Sequence, residues 1–186
     1  MQITELYLKP TPRAPMVAMP ALDGEAGHGL VGDCAAHRAS PRHALLVAES
    51  DLSALGVSAR DLRVNIVVRG DLCNLTSGSI ITFGLLSLRI TFPCEPCGKL
   101  DRVRPGLRRE MGERRLLAVV HSSGQMSVGD RGEVVAERGP VMSSDWKERV
   151  LAIAAEHPTL SHAELARAAG VVTAYCRAFP RLLGRP

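Results

Sequence analysis

Apolar residues along the chain come in short runs that mostly alternate with polar ones. That is the period of a strand with one buried face, not of a helix. The clearest run is 85–92, where Leu86, Leu88 and Ile90 interleave with Ser87, Arg89 and Thr91. It follows 79–83 across Gly84, so the two are expected to form a hairpin. Further strands are predicted at 2–9, at 16–22 with a break at Pro20, at 44–48, at 64–68, at 116–121 and at 132–137. Pro10, Pro12 and Pro15 make the stretch after the first strand an extended crossing. Ser50 or Asp51 is placed to cap a short helix through Leu55, closed by Gly56. Ser122-Ser123-Gly124 and Val128-Gly129-Asp130 read as turns. Many short strands separated by turn signals point to a barrel or a sandwich.

The pattern changes after Gly139-Pro140. Trp146, Val150, Ile153 and Ala154 recur at helical spacing, Ser143 or Ser144 can cap that helix, and Pro158 stops it near His157. Ser161 and Glu164 have the spacing of a capping box, 164–169 reads as helix, and Gly170 ends it. A third helix is expected at 175–179, before Pro180. The chain thus divides into a mostly β domain over 1–138 and a small C-terminal helical appendage over 143–186. Residues 161–174 resemble a helix-turn-helix, although such pairs more often pack on a neighbour.

Composition narrows the classes. The 186 residues suit one domain with an appendage, and 46% hydrophobic with 23% charged is globular. Aromatics are only 3%, so aliphatic side chains must fill the core. The same scarcity argues against a nucleic-acid stacking surface. The net charge of +4 is carried almost wholly by arginine and suits a bound anion or phosphate as well as a nucleic acid. Five cysteines at irregular spacing imply no disulfide framework. The N-terminus lacks a basic segment followed by an apolar run, and no stretch approaches a membrane span. A cytoplasmic setting, which would keep thiols reduced, is the expectation.

The chemistry concentrates at Pro93-Cys94-Glu95-Pro96-Cys97-Gly98-Lys99-Leu100, where a strand delivers the chain into a stiff loop. The Cys-x-x-Cys pair admits four readings. It could be a buried structural pair. It could be half of a zinc site, for which Cys34, Cys73 and Cys176 are too scattered to complete the set. It could be a thioredoxin-like dithiol, which needs a βαβ setting that is not visible. Finally, Cys97 alone could be functional, with Lys99 and the following arginines favouring its thiolate, a nucleophile and soft metal ligand. Arg102, Arg104, Arg108, Arg109, Arg114 and Arg115 form either a solvated face or an anion site, since guanidinium forks suit phosphate. Asn65, inside a β-branched run, is either an edge-facing amide or a ligand contact. The glycine-rich 24–33 lacks the Gly-Lys-Ser/Thr of a phosphate loop and reads as a tight turn or as a backbone wall beside a ligand.

Six stretches, in order, resemble one family. They are Gly29-Leu30-Val31-Gly32-Asp33; Arg42 before the strand at 44–47; Arg63-Val64-Asn65-Ile66-Val67-Val68; the hairpin opening Gly78-Ser79-Ile80-Ile81-Thr82-Phe83-Gly84; Glu95-Pro96-Cys97 with Leu100; and Val128-Gly129-Asp130. The family is the MOSC domain, named after the C-terminal domain of molybdenum cofactor sulfurase, and the likeness spans about 2–137. The resemblance implies a barrel-like β fold with short helices. It implies that Cys97 is the key thiol, a molybdenum ligand in some members and a sulfur carrier in others. It also implies a molybdenum cofactor (molybdopterin). Arg63 and Asn65 match positions that contact the pterin in relatives that reduce N-hydroxylated compounds, and the basic residues Arg42, Lys99 and Arg115 would hold its phosphate. The partners implied are this cofactor, a small-molecule substrate and a redox or sulfur-donor protein. Two positions depart from the pattern: Cys34 stands where many relatives carry a basic residue, and Val64 replaces a polar residue or proline. The rival reading is a binding or regulatory module that uses the arginines and the tail to contact nucleic acid or a protein.

Overall fold

The computed structural model describes residues 1–171 and 173–184. The strands are β1 (Gln2–Leu8), β2 (Val17–Ala18), β3 (Ala21–Glu25), β4 (Gly29–Leu30), β5 (Ala44–Ala48), β6 (Ile66–Arg69), β7 (Ser79–Phe83), β8 (Leu86–Pro93), β9 (Arg115–Ser122), β10 (Gly124–Ser127) and β11 (Gly132–Arg138). They form an eight-stranded sheet in the order β11-β7-β8-β9-β5-β6-β1-β2 and a three-stranded sheet β10-β3-β4. Among the described residues, only β5 and β6 pair in parallel. A parallel pair needs a crossover, and two helices supply it, α1 (Glu49–Leu55) and α2 (Ala59–Leu62). Gly56 closes α1 in the left-handed region, as its position after the helix predicts.

The expected barrel is not closed. β11 and β2 end the large sheet. Among the described residues its two ends meet at one corner, where Ile3 N donates to Asp130 O at 2.9 Å, Gly129 N to Ile3 O at 2.9 Å and Gly132 N to Met1 O at 2.8 Å. Beyond that corner the strands part, β1 towards β2 and β11 along β7. The architecture is mostly β with short helices.

Both faces of the central strand are buried, so all five residues of β5 are inaccessible. Leu46, Ile66, Ile81, Phe83, Leu88 and Ile90 fill one side. Leu45, Val47, Phe92 and Leu117 face the other, where helical residues cover them. Those residues are Leu52, Leu55 and Leu62 from the crossover, and Leu100, Leu107 and Met111 from α3 (Leu100–Val103) and α4 (Leu107–Met111). The arginine-rich 100–115 therefore holds two single-turn helices whose apolar side is pinned to the sheet. The β7–β8 hairpin turns at Gly84, with φ +55°; a Cβ there would lie 2.6 Å from an Asp130 carboxylate oxygen and 2.9 Å from Gln125 O.

The tail comprises α5 (Trp146–Glu156), α6 (His162–Ala168), a 3-10 turn (Thr173–Ala178) and α7 (Phe179–Leu182). Asp145, not Ser143 or Ser144, caps α5 by accepting from Lys147 N at 2.7 Å. The Ser161–Glu164 capping box forms as its spacing predicts. Pro180 opens α7 instead of ending a helix, because the first turn needs no N–H from it. Residue 172, within the helix-turn-helix-like 161–174, and residues 185–186 of the appendage lie outside the described residues. Val150, Leu165, Ala166, Ala169 and Phe179 make a small core of their own.

Candidate functional site

The loop after β8 separates the two cysteines of the Cys-x-x-Cys frame. Cys94 is buried at 8% exposure, its N–H bound to Arg115 O at 2.7 Å. Cys97, three residues on, is exposed. Pro96 stiffens the span between them, and Cys97 O accepts from Leu100 N at 3.0 Å as α3 begins. The accessible thiol is therefore Cys97. Among the described residues, no three His, Cys, Asp or Glu side chains converge as a metal-ion site.

Arg115 opens β9 opposite Val47, so its side chain shares the helix-covered face with Val47 and Leu117. The residue is 4% exposed, and its Nε and Nη2 are buried without a hydrogen-bond partner. Leaving such donors unmet costs about 1–3 kcal/mol, more for a charged group. The other arginines of this stretch are differently disposed. Arg104 chelates Glu110 at 2.7 and 2.9 Å and also donates to Leu55 O, and Arg114 binds Asp51 at 2.8 Å. The Glu110 carboxyl is held below the usual carboxylate range by the bond from Arg104. Arg102, Arg108 and Arg109 are exposed. Arg108 and Arg109 line an open groove of about 1000 Å³ with Pro96, Asp101, Pro105, Gly106 and Glu110.

Asn65 is a cross-link between chain segments. Its Oδ1 accepts from Leu45 N at 3.1 Å, and its Nδ2 donates to Tyr7 O at 3.2 Å and to Asp33 Oδ2 at 3.0 Å. Asp33 also accepts from Lys9 N and Ala35 N. The Gly32-Asp33 and Arg63-Val64-Asn65 stretches are thus brought together, with the amide's donors spent on the protein. Arg63 is exposed and caps α2 in the left-handed region, φ +58°. Lys99 is exposed at the start of α3. Arg42 points its Nη2 at Cys94 Sγ, 3.6 Å away, and its Nη1 donates to Gly170 O at 2.7 Å. Thr91 Oγ1 holds the preceding residue in place through Pro41 O at 2.9 Å.

Sequence reasoning missed Arg149. It sits on α5, fifty-four residues from Glu95, and its Nη2 donates to Glu95 Oε1 at 3.1 Å. Its guanidinium lies 3.7 Å from the centre of the Phe92 ring. The only sequence signal was an arginine on the apolar face of a predicted helix, next to Val150. Also unforeseen was a cavity of about 1180 Å³, which reaches Pro93 and Leu116 but touches none of Cys97, Arg42, Arg63, Asn65, Lys99 and Arg115. Its rim carries Glu49, Asp51, Asp71 and Glu113 against Arg69 and Arg114, an acidic balance that disfavours a phosphate.

The MOSC domain profile matches residues 28–142, which take in all six stretches that carry the resemblance. The chain belongs to the MOSC domain family. No curated protein matches this MOSC chain. Among solved structures it is similar to the YuaD protein from Bacillus subtilis, with TM-score 0.62 and 22% identity over 72% of this chain and 94% of that one. It is also similar to YiiM from Escherichia coli, with TM-score 0.54 and 20% identity over 100% and 94%. YiiM from Geobacillus stearothermophilus gives TM-score 0.58 and 13% identity over 98% of each chain. At these identities the likeness is one of fold. For YiiM it takes in the helical tail as well as the MOSC domain. Among the described residues, no helix is long and apolar enough to cross a membrane.

Proposed function

We propose that this MOSC protein binds the molybdenum cofactor through Cys97 and Arg115, and works as a reductase of N-hydroxylated compounds or as a sulfur carrier. The observation that carries the reading is the Arg115 guanidinium, buried with two unmet donors on the residue whose backbone carbonyl anchors the cysteine loop. A buried cation without a partner calls for an anion, and a planar fork favours a phosphate. Membership of the family favours the phosphate of a pterin as that anion.

The residues present fit the group. Cys97 offers a soft sulfur ligand reachable from solvent on a stiff loop. Arg115 offers the counter-charge for a phosphate. Such a cofactor, when bound, supplies two-electron redox or sulfur-transfer chemistry at molybdenum. The chain's own part is to hold and orient: Cys94 anchors the loop to β9, Arg42 lies against Cys94, and the exposed Lys99 adds positive charge beside Cys97. Asn65 and Asp33 fix the strands below.

The test is elemental and pterin analysis of protein made in a host that synthesises the cofactor. Wild type is expected to carry both, Cys97→Ser to lose molybdenum, and Arg115→Met to lose both. Wild type purified without either would end the cofactor reading.

A further inference from the structure

The helical tail reaches back to the cysteine loop at two points, from residues that lie beyond the matched 28–142. Arg149 is the first. Its side chain is 1% exposed and every donor group is used: Nε on Ala169 O at 2.8 Å, Nη1 on Ser143 O and Ser144 O at 2.8 Å each, Nη2 on Glu95 at 3.1 Å. Gly170 is the second, its carbonyl receiving Arg42, whose other nitrogen lies against Cys94 Sγ. Only glycine permits this approach, because φ there is +65° and a Cβ would stand 2.7 Å from Pro41 Cγ and 2.8 Å from Phe92 Cζ.

We propose that Arg149 is a positioning residue for Cys97, so that the tail is a working part of the site. This rests on Cys97 being the working thiol, as read above. Three of the four bonds from Arg149 end on carbonyls of the tail itself, and the Phe92 ring holds the guanidinium's face. Those contacts already fasten α5. The fourth crosses to a carboxylate that is 45% exposed and has water available in its place. What that bond adds is orientation of Glu95. Glu95 stands between Cys94, fixed on β9, and Pro96, whose ring fixes φ. Orientation set at Glu95 therefore passes to Cys97 through one rigid residue. Burial pulls the Arg149 pKa down, and the Glu95 carboxylate partly restores it.

The test is alkylation of the full-length protein by iodoacetamide, resolved by peptide so that Cys97 is followed beside the exposed Cys34 and Cys73. Glu95→Ala and Arg149→Met are each expected to change the Cys97 rate about fivefold or more, with Cys34 and Cys73 unchanged. The double variant should match a single one, because the two groups act as one unit. Glu95→Gln keeps an acceptor for Arg149 and should stay within twofold of wild type. Glu95 is half-exposed, so its variants keep the fold even where Arg149→Met does not. Overturning results are a Cys97 rate in Glu95→Ala within twofold of wild type, a double variant equal to the product of the singles, or Glu95→Gln behaving as Glu95→Ala. The readout needs no cofactor. Protein free of molybdenum with coupled Cys97 rates would sink the proposed function and leave this inference standing; loaded protein with uncoupled rates would do the reverse.

Discussion

The sheet domain and the tail solve the same problem in opposite ways. The sheet buries aliphatic side chains on both faces of its central strands. The tail has five fully buried apolar residues and leans on rings: Trp146 stacks against Phe179 at 6.5 Å and tilts on Tyr175 at 5.1 Å. Three of the chain's six aromatic residues lie in this last quarter. A core that small does not hold a unit of about forty residues by itself. The tail is therefore stable where it docks, through Arg149 on Phe92 and Glu95 and through Gly170 against Pro41. The difference teaches that a region's own core can be too small for its order, and that the missing part is then found at its interface.

The sharpest way to break this comparison is to hollow out each core in turn. Phe83 is fully buried in the sheet, and Phe83→Ala is expected to lower global stability by about 3–5 kcal/mol in a urea titration. Phe179→Ala removes the same ring from the tail. It is expected to leave the global midpoint in place while residues 143–184 become open to proteolysis and hydrogen exchange. A single cooperative transition displaced equally by both variants would show that the tail and sheet are one unit.

Gly170→Ala probes the interface alone. The residue combines a left-handed backbone with two contacts a methyl group cannot share, so a loss of about 2–3 kcal/mol in tail docking is expected. Protease cleavage of the tail should accelerate accordingly, with the urea midpoint of the sheet unmoved. Unchanged cleavage would mean that the close approach of Gly170 to Phe92 has no energetic weight.

These contacts also mark where sequence stopped being informative. The hairpin at Gly84, the central strand at 44–48 and the Ser161–Glu164 box were legible because each is set by residues adjacent in the chain. So was the stiff loop that leaves Cys97 exposed. β10 and α2 were missed: β10 is four residues carrying one buried side chain, and α2 is a single turn held by Ser58 and Asp61. The docking of Arg149 on Glu95 and the Asp33–Asn65 bond join residues 54 and 32 positions apart, which no local pattern encodes. The inward turn of Arg115 was hidden for another reason. It sits in a row of arginines that otherwise face solvent, and only its register opposite Val47 directs it to the buried face.

Arg115 sharpens the comparison from the sheet side, since here the larger core carries a deliberate flaw. Replacing an unpartnered buried cation with an apolar side chain of similar length removes a desolvation penalty. Arg115→Met is expected to raise stability by about 1–3 kcal/mol in the absence of anions. Inorganic phosphate should raise the melting temperature of wild type and leave that of the variant unchanged. If the variant is less stable than wild type without phosphate, the guanidinium has a structural partner and the anion site is misplaced.

The smallest effect concerns protons. His43 is 1% exposed in the sheet domain, with Nδ1 accepting from Val120 N at 3.1 Å and Nε2 donating to His37 O at 3.1 Å. A second proton would set an N–H against the Val120 N–H and place a charge where burial already disfavours it. The His43 pKa is accordingly lowered from the ordinary 6.5, with burial as the leading cause. Above that value the imidazole is neutral in both folded and unfolded chains, so its contribution is fully present. As pH falls below it the unfolded chain takes the proton first. Stability is then lost through the window between 6.5 and the lower folded value, at no more than about 1.4 kcal/mol per pH unit for one group. His43→Gln retains one acceptor and one donor but cannot titrate. Urea midpoints at pH 7.5 and 5.0 should fall less for this variant than for wild type. Because the tail carries its own histidines, exposed His157 and half-buried His162, its proteolysis rate over the same range should be indifferent to the substitution. Equal losses in the two proteins would place the acid sensitivity of the sheet elsewhere than at His43.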